Sequence, residues 1–193
     1  MKKTESRELL LSVFGVALLI LAIAGVTYAV FTYTSNGKQE NVINTGSITM
    51  SYIESSANVI SIDNALPTPD NVGMIQNDYF DFTISSTISG VATISYEIWA
   101  KSIFTKNQLE NKYIRINLEK EDGDSYKEIL KPTNFEETKE KGMLLYRDSF
   151  SNYKNKKMSF NESYRFRMWV DEDYQLEDSS KSFKIKINVY ANA

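Results

Sequence analysis

YRFRMWV, residues Tyr164 to Val170, alternates in character with a period of two. Tyr164, Phe166, Met168 and Val170 fall on one side, Arg165, Arg167 and Trp169 on the other. Successive side chains of a β-strand point to opposite faces of a sheet, so this period predicts a strand with its apolar face inward. A helix would gather residues three and four apart, which here sets Arg167 beside Met168 and leaves no apolar stripe.

The same pattern extends outward in both directions. Tyr79–Ser85 sets Phe80, Phe82 and Ile84 against Tyr79, Asp81 and Thr83. Ser182–Tyr190 sets Phe183, Ile185, Ile187 and Val189 against Lys184, Lys186 and Asn188. Ser47–Ile53, Asn58–Ile62, Val91–Ala100, Tyr113–Leu118, Ser125–Leu130 and Leu144–Phe150 complete the set. Asp122-Gly123 predicts a hairpin with a type I′ turn, and Pro67 and Pro69 mark a loop. Residues 101–112 and 134–142 read as long loops, the second with room for one helical turn. Eight or nine short strands result, with no helix beyond the N-terminal segment. Alternating faces imply antiparallel sheets, and two such sheets bury their apolar faces together. The fold expected is therefore all-β: an antiparallel two-sheet sandwich of jelly-roll or Greek-key type behind an N-terminal hydrophobic helix.

Composition narrows the chemistry. The chain has 193 residues, enough for one domain, with no Cys and no His. Disulfides, thiol nucleophiles, a Ser-His-Asp triad and a HExxH zinc site are all excluded. A net charge of −3 gives no basic excess for nucleic acid.

Residues 9–31 carry no charge and follow Lys2, Lys3 and Arg7. Such a run is long enough to span a bilayer, which takes about 20 residues, with the basic end in the cytoplasm. It also contains a cleavage site, since Thr27 and Ala29 provide small residues at −3 and −1 before Val30. Retention as an anchor and release by cleavage both remain open. The chain divides accordingly into residues 1–29 as signal or anchor, 30–46 as linker or donor strand, and 47–193 as the sandwich.

Tyr28-Ala29-Val30-Phe31 followed by Asn44-Thr45-Gly46-Ser47-Ile48 resembles the start of the TasA/camelysin family of exported Gram-positive proteins. The Pro67–Pro69 loop, the aromatic strand at Tyr79–Phe82 and the closing strand Phe183–Tyr190 follow in a similar order. The resemblance implies a jelly-roll domain released by a signal peptidase of the SipW type. The leading reading is a non-enzymatic structural protein of the bacterial cell surface or biofilm matrix, with no cofactor. Fibre formation by strand donation would use Val30, Phe31, Tyr33, Val42 and Ile43, because an extended peptide satisfies an open sheet edge. The alternative is a membrane-tethered monomer that binds a ligand such as a glycan. A camelysin-type metalloprotease is the third reading, and the missing His disfavours it.

Other features have plainer readings. Asp171-Glu172-Asp173 and Asp122-Gly123-Asp124 offer oxygen ligands for calcium, but neither has EF-hand spacing. Trp99 and Trp169 fall on outward registers, where they could stack on sugar rings or lie under a loop. Lys154-Asn155-Lys156-Lys157 is a small basic cluster on a loop.

Overall fold

A computed structural model describes residues 31–33, 41–44, 48–54, 59–63, 66–138, 140–176 and 180–192. The apolar run up to residue 30, with Thr27, Ala29 and Val30, lies outside them. Among the described residues no helix is long and apolar enough to cross a membrane. The chain divides into two compact units, Met1–Phe31 and Thr32–Ala193. Every described core residue belongs to the second.

Eleven strands are described: β1 (Phe31–Tyr33), β2 (Asn41–Asn44), β3 (Ile48–Glu54), β4 (Val59–Ile62), β5 (Phe80–Ser89), β6 (Ala92–Ser102), β7 (Ile114–Asp122), β8 (Ser125–Asn134), β9 (Met143–Asn152), β10 (Lys157–Val170) and β11 (Phe183–Asn192). All the strands expected from alternation are present. β1 and β2 are additional and fall in the segment read as linker or donor. Residues 135–138 and 140–142 form a loop without a helical turn. Single turns occur instead at Asp70–Gly73 and, as a 3-10 turn, at Asn111–Tyr113.

Sheet A runs β1-β11-β6-β9, with β4 also along β11; sheet B runs β2-β3-β5-β10-β7-β8. The pairs β4–β11, β5–β10, β6–β9 and β7–β8 are antiparallel and nested one inside the next. Alternate pairs lie in opposite sheets, as in a ribbon folded at the β7–β8 turn and wrapped once. That topology is a jelly roll. The β7–β8 turn differs from expectation in one respect. Within this turn Gly123 has positive φ (65°) and Asp124 does not. A type I′ turn needs two such residues, whereas type II′ needs only a Gly in the first central place, which is what this turn has.

β10 is the longest strand at 14 residues and pairs with β5 over its first part and β7 over its last. Tyr164, Phe166, Met168 and Val170 face the core as their spacing predicts. There Phe82 stacks on Tyr164 (5.2 Å), and Phe150 stacks on both Tyr96 (5.2 Å) and Phe160 (5.5 Å). Aromatic rings of both sheets thus fill the space between them, each burying a large apolar area. The opposite register of β10 is only partly exposed. Arg165 lies against the rings of Tyr79 and Tyr126 and pairs with Asp81 at 3.1 Å. Arg167 and Trp169 are buried, because residues 66–76 fold across this face.

Candidate functional site

The outer face of sheet A carries the principal candidate. β11 turns Lys186, Asn188 and Tyr190 outward, next to Glu97, Trp99 and Lys101 of β6 through the pairs Asn188↔Trp99 and Tyr190↔Glu97. The loop from β8 to β9 lies over one end. It is fixed by Ser102, whose backbone N–H and hydroxyl donate to Glu137 (2.6 and 3.0 Å), and by Lys101 Nζ, which donates to the Glu140 carbonyl (2.8 Å). Between loop and sheet is a cavity of about 440 Å³ lined by Lys101, Ser102, Glu140, Lys141, Asn188 and Tyr190, among others.

The floor of this cavity is polar and preset. Asn188 is 6% exposed, and its side-chain oxygen has no hydrogen-bond partner among the described residues. A buried amide oxygen left this way costs about 1–3 kcal/mol, and because it is closed to solvent a donor in the cavity would recover this only as the side chain turns toward it. Lys141 Nζ sits 4.4 Å from the centre of the Tyr190 ring. Trp99, by contrast, is no stacking platform. It is 2% exposed, meets Tyr190 edge-on and donates from Nε1 to Glu97 Oε2 at 2.8 Å. Burial pushes the Glu97 carboxyl up, but hydrogen bonds from Trp99 and Arg147 outweigh it, and the net shift is downward.

Trp169, on the outer face of sheet B, is 2% exposed. The turn Asp70–Gly73 covers it so closely that a Cβ on Gly73 would fall 2.3 Å from the indole. Its Nε1 donates to Asp70 Oδ1 at 3.2 Å. Arg115 grips the same carboxylate with Nε (3.0 Å) and Nη2 (2.6 Å), and this hydrogen bonding holds Asp70 below its ordinary range. Thr68 N–H donates to the Val170 carbonyl at 2.9 Å and ties the Pro67–Pro69 loop to β10. Of the two indoles read as outward, both are on outer registers and both are covered.

A second polar cluster lies inside the sandwich, at the inward positions of β6, β7, β9 and β10. Lys120 Nζ donates to Asp148 Oδ2 and Glu162 Oε1, each at 2.8 Å. Tyr164 OH donates to Glu162 Oε2 at 2.7 Å, Tyr146 OH to Asp148 Oδ2 at 3.1 Å, and Tyr96 OH also reaches Glu162. Burial opposes the charge on Lys120, but its two carboxylate partners raise it overall. Burial likewise pushes Asp148 up, and the bond from Lys120 brings it below its usual value. Burial first, then the neighbouring carboxylate, raises the phenols of Tyr96 and Tyr164. The Lys120 ammonium occupies the space between the two carboxylates, where a scissile glycosidic oxygen would have to sit. The cluster thus serves as an ionic tie between the sheets.

The signs give a pH prediction. Asp70, Asp148 and Glu97 have depressed values, so their contribution is complete above the unfolded range and is lost as pH falls below about 4. Lys120, Tyr96 and Tyr164 have raised values, so theirs is complete below about pH 10 and is lost above it. Urea midpoints should be level between about pH 5 and 9 and fall on both sides. Lys120→Met leaves two facing carboxylates and should cost about 1–3 kcal/mol at pH 7, reduced by partial solvent exposure, and less at pH 3. An equal loss at both pH values would show that the tie is not ionic.

The remaining expectations place as follows. Phe31 and Tyr33 lie in β1, and Val42 and Ile43 in β2. Asp171 accepts from the Asp173 backbone N–H at 2.9 Å and faces Arg115 at 3.8 Å. Among the described residues no group of three or more acidic side chains gathers as a metal site. The cavity residues were not legible as a group. Asn188 and Lys186 read as ordinary outward positions, and nothing in the order of residues places the β8–β9 loop over them.

No family model matches the chain, and no curated protein matches it. Solved structures with a similar course include TmCBM61 in complex with beta-1,4-galactotriose, at 9% identity over 84% of this chain and 98% of that one, TM-score 0.25. The CBM22-2 xylan-binding domain from Paenibacillus barcinonensis Xyn10C is similar at 12% identity over 78% and 93%, TM-score 0.20. CBM6cm-2 from Cellvibrio mixtus lichenase 5A, in complex with cellotriose, is similar at 8% identity over 84% and 91%, TM-score 0.18. Likeness at these scores does not extend to function.

Proposed function

We propose that this chain is a non-enzymatic domain of the bacterial surface that works by contact, taking a polar, acid-bearing saccharide in the cavity on the outer face of sheet A. The N-terminal segment serves export or tethering. Asn188 carries this reading: a buried carboxamide oxygen without a partner, on the floor of a cavity whose rim holds Lys101 and Lys141. Sugar hydroxyls would satisfy the amide, a carboxylate would meet the ammonium groups, and Tyr190 would offer an apolar edge once Lys141 swings aside.

Calorimetric titration of Thr32–Ala193 with neutral and uronate oligosaccharides tests the reading. Binding should favour the uronates. Asn188→Ala should weaken it at least tenfold, about the worth of one hydrogen bond. The same variant should keep or raise the melting temperature, because it removes an unsatisfied buried acceptor. Failure of every oligosaccharide to bind, or full affinity in Asn188→Ala, would sink the reading.

One observation favours a second reading, polymerisation by strand donation. β1 lies along β11 and β2 along β3, so residues 31–33 and 41–44 add edge strands to the two sheets. These strands are only three and four residues long, and a neighbour's copy could replace them at little cost. Chromatography of residues 30–193 should then show high-molecular-weight species, and removal of residues 30–44 should leave a folded monomer.

A further inference from the structure

Two connections between the sheets lie side by side at one end of the sandwich. Gly90 and Val91 join β5 to β6, and residues 153–156 join β9 to β10. The strands on either side are paired, Lys157 with Ser89 and Ala92 with Asn152, and a Cβ on Gly90 would stand 3.7 Å from Asn155 Oδ1. The two connections therefore form one tip. It projects Tyr153 (81% exposed) and Val91 (68% exposed) beside Lys154, Lys156 and Lys157, all exposed.

The tip is built, not loose. Asn152 is buried beneath it and donates from Nδ2 to the carbonyls of Ile88 (3.0 Å) and Lys156 (2.7 Å), while its Oδ1 accepts from the Lys154 backbone N–H (2.9 Å). Lys156 N–H closes the loop on the Lys154 carbonyl at 2.7 Å. This scaffold holds two apolar side chains out in water, where they gain nothing for the fold. Among the described residues the three lysines have no ion pair. Continuing the β7–β10 register, the acidic turn at Asp122–Asp124 is set back from Lys157 by three to five residues of β10, roughly 10–17 Å. That is beyond the screening length of about 8 Å at physiological salt. In a chain of net charge −3, this end is basic among the described residues.

We propose that this tip docks on the surface of an anionic lipid bilayer. Tyr153 and Val91 enter the headgroup boundary, where an aromatic ring with a polar tip is at home, and the three lysines face the anionic headgroups. A soluble polyanion would account for the lysines alone. The rigid apolar pair favours a bilayer.

Sedimentation of Thr32–Ala193 with sucrose-loaded vesicles tests this, since that unit lacks the apolar run and contains every described core residue. Binding is expected to vesicles of phosphatidylglycerol and phosphatidylcholine, and not to phosphatidylcholine alone. Each lysine should contribute roughly fivefold, so Lys154→Gln with Lys156→Gln and Lys157→Gln should lose about two orders of magnitude. Val91→Ser with Tyr153→Ser should lose at least tenfold while melting as the parent does. Tyr153→Trp should show a blue shift in emission when anionic vesicles are added. No binding to anionic vesicles would overturn the proposal. So would binding that ignores the Val91→Ser, Tyr153→Ser change and is matched by soluble polyphosphate, which would mark a polymer contact by charge alone.

Discussion

Trp169→Ala is expected to destabilise the domain by about 3–5 kcal/mol and to leave saccharide affinity unchanged. The indole packs beneath the turn Asp70–Gly73, its Nε1 donates to Asp70, and Asp70 in turn holds Arg115. Removing it opens a cavity and also loosens the carboxylate that anchors the loop from residue 66 to 76. For a domain of this size the loss corresponds to roughly 10–15 °C in melting temperature. Gly73→Ala should act on the same contact from the other side, because its Cβ cannot coexist with the indole at 2.3 Å. With Trp99→Phe as background, Trp169 is the only indole left, and Gly73→Ala should shift its emission to the red. A Trp169→Ala protein within about 1 kcal/mol of the parent would show that the turn does not cover the ring.

Gly142→Ala should be comparably damaging, for a different reason. Gly142 has φ of +105°, well outside the region L-residues adopt, and a Cβ there would stand 2.1 Å from the Ala100 carbonyl oxygen. That oxygen belongs to the backbone of β6, so it cannot swing away as a flexible side chain would. Relief requires opening the β6–β9 ladder at Ala100↔Met143. A loss of about 3 kcal/mol or more is expected, with the β8–β9 loop displaced from the cavity. Saccharide affinity should fall together with stability. Gly123→Ala is the control, since φ is +65° and nothing lies within 4 Å of its Cβ. It should cost about 1–2 kcal/mol. Equal melting temperatures in the two variants would mean that the clash is relieved locally.

Alternation alone was enough to read the sandwich, because each strand of its core has one face in water or under a thin cover. The reading stops where that period meets exceptions. In β10 the residues before Tyr164 include Glu162 on the inward register, and in β7 Lys120 continues inward after Leu118. A charge at an inward position was the visible sign of the inter-sheet tie, but its partner Asp148 comes from another sheet, and no local rule links the three. β8 runs through Pro132 to Asn134, because it is an edge strand and Pro132 falls where its register with β7 shifts between Ile116 and Leu118. The burial of Trp99 and Trp169 depends on loops whose path is set by long-range contacts such as Asp70 to Arg115 and Glu137 to Ser102.

The nesting of β4–β11, β5–β10, β6–β9 and β7–β8 also bears on when this body can form. Of these four pairs only β7–β8 joins neighbours in the chain; each outer pair encloses a longer loop, and the outermost waits for β11. A chain leaving the ribosome therefore holds unmatched strands until β11 emerges. Closure is late and non-local, which makes it slow. The topology keeps the polypeptide pliable for as long as it is being made.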